Sequence, residues 1–184
     1  MTNESIQYRW LNESDLDKIA EIDRSEHITI AYHQEGSLLT TMAVDWQVPT
    51  WLSEGDGDHS LNQIIDFCSD HMERGGTMKG AFIGDLLIGV GILHQDLRPS
   101  MDQLAFLHVS REYRRQGIAS EITRDLSRLA REKGVKSIYV SATPSKSAVS
   151  FYRHHGFEPV PDPIPELYAL EPEDIHMIKE LEPE

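Results

Sequence analysis

Cysteine, cationic residues and long apolar runs are all scarce in this sequence, and each shortage excludes something. One cysteine in 184 residues leaves no intramolecular disulfide and no Cys-rich zinc module. No apolar run approaches the roughly 18 residues that a membrane span needs. The first ten residues, MTNESIQYRW, have neither the basic nor the apolar region of a secretory signal. A cytoplasmic protein with no membrane partner is therefore expected. Seventeen Lys and Arg stand against 31 Asp and Glu, a net charge of −14. That balance argues against nucleic acid as a partner, since affinity for a duplex rests on neutralising its phosphates. The nine histidines include no His-Glu-x-x-His pair and no other tight ligand cluster, so no metal is expected. What remains is a chain with 39% hydrophobic and 26% charged residues, near globular values and long enough for one domain with its own core. We take residues 1–184 as that domain, with 1–76 as its N-terminal part and 77–184 as its second part.

Positive charge is concentrated as well as scarce. Residues 111–136 hold eight Arg and Lys against four Asp and Glu, net +4, so the rest of the chain carries −18. A local anion site on a body that attracts cations is one implication. From Arg124 onward, a solvated helix face accounts for the charge.

Periodicity gives the order of elements. Ile6, Tyr8 and Trp10 alternate with polar residues as in a strand. Asn12 or Ser14 then caps a helix carrying Leu16, Ile19 and Ala20. Residues 26–57 are poorly periodic, and an irregular or short helical substrate region is expected there, with Trp46 and Trp51 near its entrance. Ser60 and Gln63 suggest a capping box for a helix bearing Leu61, Ile64, Ile65, Cys68 and Met72, with Cys68 in the core. Strands at 77–83 and 86–94 flank Gly84-Asp85, a hairpin turn. Gly89 and Gly91 mark a close backbone approach or a bend. A loop at 97–102 precedes a strand at 103–109, and a helix from Gly117 runs to Gly134. A strand at 135–141, a short helix at 147–154, a strand at 157–160, a proline-rich loop and a last strand at 175–181 complete the chain. Helices interleaved with an antiparallel meander indicate a mixed sheet in an α+β domain.

The segment from Val109 to Ala119 runs from strand through basic loop to helix. Gly117 and Ala119 remove side-chain bulk where the helix begins. The first N–H groups of a helix have no intrahelical partner and lie at the positive end of its dipole. Small residues there let an anion approach them. A pyrophosphate suits such a turn, with Arg114 or Arg115 adding charge. Relief of a tight turn is the plainer role for Gly117.

Arg114-Arg115-Gln116-Gly117-Ile118-Ala119 resembles the main signature of the GNAT superfamily of N-acetyltransferases: Arg or Gln, two residues, Gly, one residue, then Gly or Ala. Ala148-Val149-Ser150-Phe151-Tyr152-Arg153-His154-His155-Gly156-Phe157 is similar to that family's A-x-x-F-Y-x-x-x-G-F helix and strand. Residues 174–181 are similar to its last strand. The resemblance implies a mostly antiparallel mixed sheet with helices on both faces, and a splayed strand pair that receives acetyl-CoA. It implies that the pyrophosphate meets the backbone N–H groups around Gln116, Gly117, Ile118 and Ala119, with Arg114, Arg115 and Ser120 also counted among the cofactor-binding residues. The pantetheine arm would lie along Leu107, His108 and Val109 and beside Phe151, pairing like an extra strand. Phe106 and Leu107 suit a wall of that wedge, or equally the sheet core. Where many relatives place a pantetheine-binding asparagine, this chain has Ser145, with Ser147 as a nearby substitute.

The chemistry implied is acyl transfer from a thioester to a neutral amine. A backbone N–H near Leu107 or Val109 would serve the developing oxyanion, and Tyr152 would protonate the departing thiolate. Asp102, His108, Glu26, His27 and His33 are the candidates for a general base, and none is singled out. A cationic small molecule or peptide amine is the expected substrate, given the −18 outside the basic segment. A homodimer is compatible with this reading. The competing reading is a catalytically silent module of the same fold that binds acyl-CoA for regulation. Tyr152 and the intact Gly117-Ile118-Ala119 count against it.

Overall fold

A computed structural model describes residues 5–182 apart from Asp56 and Asp58. Its main sheet has seven strands: β1 (Gln7–Leu11), β4 (Thr77–Ile83), β5 (Leu86–Arg98), β6 (Met101–Val109), β7 (Ser137–Ala142), β9 (Ile175–Glu180) and β8 (Glu158–Pro159), in that spatial order. All neighbours are antiparallel except β6 and β7. This is the mixed, mostly antiparallel α+β sheet expected from the sequence. Between β1 and β4 lie a 3-10 helix (Glu13–Glu21), a separate two-stranded hairpin of β2 (Glu26–Glu35) and β3 (Leu38–Val48), and helix α1 (Leu61–Glu73). Helix α2 (Ile118–Glu132) joins β6 to β7, α3 (Lys146–His154) joins β7 to β8, and α4 (Pro165–Leu170) precedes β9.

Each face of the sheet carries its own core. Ile118, Ile122 and Leu126 of α2 and Val149 and Tyr152 of α3 pack with Ile88, Val140 and Met177 on one face. Leu16 and Ile19 of the 3-10 helix and Cys68 of α1 pack with Val90, Ile92 and Phe106 on the other. The alternation of a strand, which sends successive side chains to opposite faces, produces both layers from single strands such as β5. Gly89 and Gly91 are where α2 settles closest. A Cβ at Gly89 would lie 2.7 Å from Ile118 Cγ2, and one at Gly91 2.6 Å from Ile122 Cγ2. Any side chain there would lift the helix off the sheet.

Several local expectations are revised. Residues 26–48 form a hairpin, not irregular or helical structure; a register shift between Ile28 and Ile30 and the largely exposed β3 erase the alternation that would have announced it. Asn12, not Ser14, caps the first helix. Its Oδ1 accepts from the Ser14 N–H, and Asp15 closes a capping box that Ser60 and Gln63 do not form. Ser60 is instead buried in a bridge to Leu52. The 97–102 loop shrinks to a turn at Pro99 and Ser100, because β5 and β6 extend to meet at Arg98 and Met101. The proline-rich loop contains α4, with Pro165 at the first helical position, where a missing N–H costs nothing.

Candidate active site

The parallel ladder between β6 and β7 has only three rungs, Met101–Ser137, Asp102–Ile138 and Gln103–Tyr139. Beyond them β6 pairs only with β5, so Leu104 to Val109 turn one row of backbone groups into an open wedge. Ala105 has no partner in the β5 ladder, which passes from Ile92–Phe106 to Leu93–Leu104. Such a bulge bends a strand, and this one begins where the splay begins. Leu107, His108 and Val109 all lie on the splayed stretch.

Past Val109 the chain makes one 3-10 turn (Arg111–Tyr113) and enters α2 through two left-handed residues, Arg115 (φ 61) and Gly117 (φ 80). A side chain other than glycine is strained in this region, which marks Arg115 as held there by its surroundings. Left-handed residues near a helix start aim successive N–H groups into one concavity. Among the described residues, no backbone carbonyl accepts from the N–H groups of Gln116, Gly117, Ile118, Ala119 or Ser120. A Cβ built at Gly117 meets nothing within 4 Å. Orphaned donors at a positive helix end, with no side chain crowding Gly117, fit the diphosphate of a nucleotide cofactor.

The side chains around this turn divide. The Arg114 guanidinium is already engaged, with Nε donating to the Val109 carbonyl at 3.0 Å, Nη2 to the Arg24 carbonyl at 3.0 Å and Nη1 to Glu26 Oε2 at 3.2 Å. Its charge braces the end of β6, which leaves the exposed Arg115 as the cationic side chain at the mouth of the turn. Gln116 Nε2 donates to the Glu112 carbonyl at 3.3 Å. Ser120 Oγ lies 2.9 Å from His155 Nε2, tying α2 to the end of α3.

Across the wedge, α3 is capped by Ser145, whose Oγ accepts from the Ala148 N–H at 3.2 Å. Ser145 Oγ is 3.0 Å from Ser147 Oγ, and Ser147 Oγ donates to Glu26 Oε1 at 2.6 Å. Glu26 therefore joins both lips, holding Arg114 on the β6 side and Ser147 on the α3 side. Tyr152 is buried, its ring 5.3 Å from those of Phe151 and Phe157. Burial, and secondarily the charge of Asp174, push its hydroxyl above its ordinary value near 10, so it stays protonated at neutral pH. Phe151, half-buried, packs at a tilt against His155, with ring centroids 4.5 Å apart.

The base candidates are scattered. Asp102 sits at the closed end of the wedge, its carboxyl raised chiefly by burial and its Oδ1 accepting from the Asp96 N–H at 3.0 Å. His108 packs against Phe106 at 4.6 Å and Trp51 at 5.4 Å, and burial pushes it down to about 3, with Arg24 and Arg114 acting in the same direction. It is neutral over the whole working range. His27 pairs with Asp45 on the exposed hairpin at 2.7 Å. Trp51 belongs to the aromatic layer beneath Phe106, while Trp46 and His33 line a separate cavity of about 370 Å³ between the hairpin and the loops flanking α4. Asp174 lines that cavity too. Nothing in the local sequence singles it out, because the cavity assembles from segments far apart in the chain.

Comparison with known proteins adds family to geometry. The model of the acetyltransferase (GNAT) family matches residues 40–157, a span that contains the phosphate-type turn, the splayed strands and α3. The chain belongs to the GNAT acetyltransferase family. Its fold is shared by a nourseothricin acetyltransferase (TM-score 0.70, 17% identity, covering 95% of this chain and 98% of that one). It is also shared by a putative streptothricin acetyltransferase from Bacillus anthracis str. Ames in complex with acetyl coenzyme A (TM-score 0.71, 17% identity, 97% and 99%). A third example is the ribosomal-protein-S18-alanine N-acetyltransferase from Escherichia coli (TM-score 0.60, 17% identity, 96% and 94%). The protein is thus an acyltransferase of the GNAT family. No helix among the described residues is long and apolar enough to cross a membrane.

Proposed function

We propose that this GNAT protein is an acetyl-CoA-dependent N-acetyltransferase acting on a primary amine of a cationic small molecule or peptide. The observation that carries the reading is the three-rung ladder that opens into a wedge, with the orphaned N–H groups before α2 just beyond the splayed end of β6. When bound, acetyl-CoA supplies the activated acyl group. The N–H groups from Gln116 to Ser120, with Arg115, hold its diphosphate. The free edge of β6 from Leu107 to Val109 pairs with its pantetheine amides, and Ser145 and Ser147 border the same arm beside Phe151.

A backbone N–H on that edge donates to the acyl oxygen as it gains charge. The amine lone pair forms the new C–N bond as the C–S bond breaks. The Tyr152 hydroxyl gives its proton to the sulfur and recovers one from solvent. The amine's own proton leaves to water or to a basic side chain. The net charge of −14 draws cationic amines toward the protein.

Thermal unfolding with and without acetyl-CoA tests the cofactor site. At a hundredfold excess over its dissociation constant the ligand stabilises the fold by about 2.7 kcal/mol. Gly117→Asp removes that gain, because a carboxylate then competes for the same donors. Release of free thiol in the presence of an amine panel tests turnover. A protein that binds acetyl-CoA but releases thiol with no amine is a binding module instead.

A further inference from the structure

We infer that His155, acting through the Ser120 hydroxyl, is a positioning residue of the cofactor site that takes up a proton when the diphosphate of acetyl-CoA binds, so that cofactor affinity rises as pH falls. The inference rests on the proposed placement of that diphosphate at the start of α2.

Ser120 is the junction. Among the described residues no backbone carbonyl accepts from its N–H, and its Oγ lies 2.9 Å from His155 Nε2. His155 in turn ends α3, its own N–H donating to the Phe151 and Tyr152 carbonyls. One imidazole therefore lies between the negative end of α3 and the positive start of α2. A neutral ring nitrogen either accepts from the Ser120 hydroxyl or donates to it, whereas an imidazolium can only donate. Once Nε2–H donates to Oγ, the hydroxyl hydrogen of Ser120 is released from the ring and is free to turn toward an anion.

The groups around the ring decide its charge in the free protein. Burial disfavours the imidazolium most, and His154 of α3, Lys179 of β9 and Arg124 of α2 act in the same direction. Arg124 is itself paired with Glu121 of the same helix. The Phe151 ring lies 4.5 Å away and the His154 ring 5.4 Å away. A histidine ordinarily titrates near 6.5, so these neighbours hold His155 neutral at pH 7. A diphosphate diester is a dianion at that pH. Held against the Ser120 N–H, it offsets the fields of Arg124 and Lys179 and favours the imidazolium. The proton comes from solvent, and the only bond formed is N–H. Since binding the cofactor draws in a proton, a proton must strengthen cofactor binding by the same factor. A bond that merely staples α2 to α3 adds stability and carries no such coupling.

Dephospho-CoA is the probe. It keeps the diphosphate and lacks the 3′-phosphate, a monoester whose second ionisation at about 6 would overlap that of histidine. Isothermal titration of the full chain at pH 7, in two buffers of different ionisation enthalpy, is expected to show net proton uptake. Affinity is expected to tighten about threefold or more from pH 8 to pH 6. His155→Gln keeps a donor for Ser120 but has no proton to gain. It should bind like the parent at pH 8 and show neither uptake nor pH dependence. Ser120→Ala, which leaves the imidazole in place, should weaken binding at pH 6 and reduce the uptake. In NMR spectra the His155 ring should titrate at higher pH with dephospho-CoA bound than without it. Binding by the parent with no proton uptake overturns the inference, as does uptake that persists in folded His155→Gln; both leave the cofactor site standing. Acetyl-CoA binding undiminished in folded Gly117→Asp overturns the placement of the diphosphate, and with it this inference.

Discussion

Lys79 Nζ and Asp125 Oδ2 meet at 2.8 Å between the middle of β4 and α2, with side chains only 8% and 11% exposed. The ammonium also lies 4.2 Å from the centre of the Trp10 ring, and Asp125 takes a second bond from Arg128 at 2.9 Å. Both charges have left water, so the pair is compensated but its net contribution to stability is small.

The asymmetry of a buried pair yields the first prediction. Asp125→Ala leaves Lys79 charged and nearly dry, and unfolding by urea should show a loss of about 3–5 kcal/mol. Lys79→Met combined with Asp125→Leu removes both charges while keeping volume, and should lie within about 1–2 kcal/mol of the parent. Equal losses in the single and double variants would show that packing, not charge, dominates this contact.

Acid stability follows from the imidazoles. Burial pushes His71 down to about 4 and His108 down to about 3, and lowers His94 as well. His71 and His94 lie 4.9 Å apart, ring to ring, and neither Nδ1 finds a partner among the described residues. An unfolded histidine titrates near 6.5, so between about pH 6.5 and 4 the unfolded chain binds more protons than the folded one. Stability therefore rises with pH there. The contribution is complete above pH 6.5 and is lost progressively as pH falls through the folded values. Asp102, raised by burial, acts in the opposite sense and blunts part of the slope. Urea midpoints at pH 7, 5.5 and 4.5 should fall in that order, with a shallower fall in His71→Phe. An unchanged slope in that variant would place the acid sensitivity elsewhere.

Glu26 supplies a test of the wedge itself. It meets Ser147 at 2.6 Å and Arg114 at 3.2 Å, linking the two lips across the splay. Glu26→Ala removes two charge-assisted hydrogen bonds, each worth about 1.5–3 kcal/mol when largely shielded and less at this partly exposed site. Acetyl-CoA should bind about tenfold more weakly, while Glu26→Gln, which can still accept from Ser147, recovers most of the loss. A variant that binds acetyl-CoA as the parent does, yet turns over slowly, would instead assign Glu26 to the amine.

What the sequence made legible is local, and what it hid is long-range. Gly117, Ala119 and the strand before them announce an anion turn because its parts are consecutive and each has a backbone reason. The meander of β4 to β6 was readable because apolar runs flank the two-residue turn at Gly84 and Asp85. The β2–β3 hairpin was not, since a bulge and a mostly exposed second strand leave no period to detect. The engagement of Arg114 was hidden for another reason: its partner Glu26 lies 88 residues away. The cavity was hidden likewise, because Gln34 must cross 126 residues to Val160 and 142 to His176 to close it.

Tyr152 carries the last prediction. If it protonates the departing thiolate, Tyr152→Phe deletes one hydroxyl and keeps the ring between Phe151 and Phe157. Cofactor affinity should change little, because most contacts come from backbone groups and apolar surface. Turnover should fall by about 10²–10⁴-fold, the usual cost of losing a general acid. The high pKa imposed by burial sharpens the test, since a hydroxyl held protonated far above neutrality predicts a kcat that does not fall through ionisation of this group between pH 7 and 10. The loss should also shrink with an acyl donor whose thiol departs readily without a proton. A tyrosine that only fills space predicts the reverse pattern: reduced stability or weaker cofactor binding, and the same loss with every donor. Wild-type turnover in Tyr152→Phe would remove the residue from the mechanism and leave solvent as the proton source.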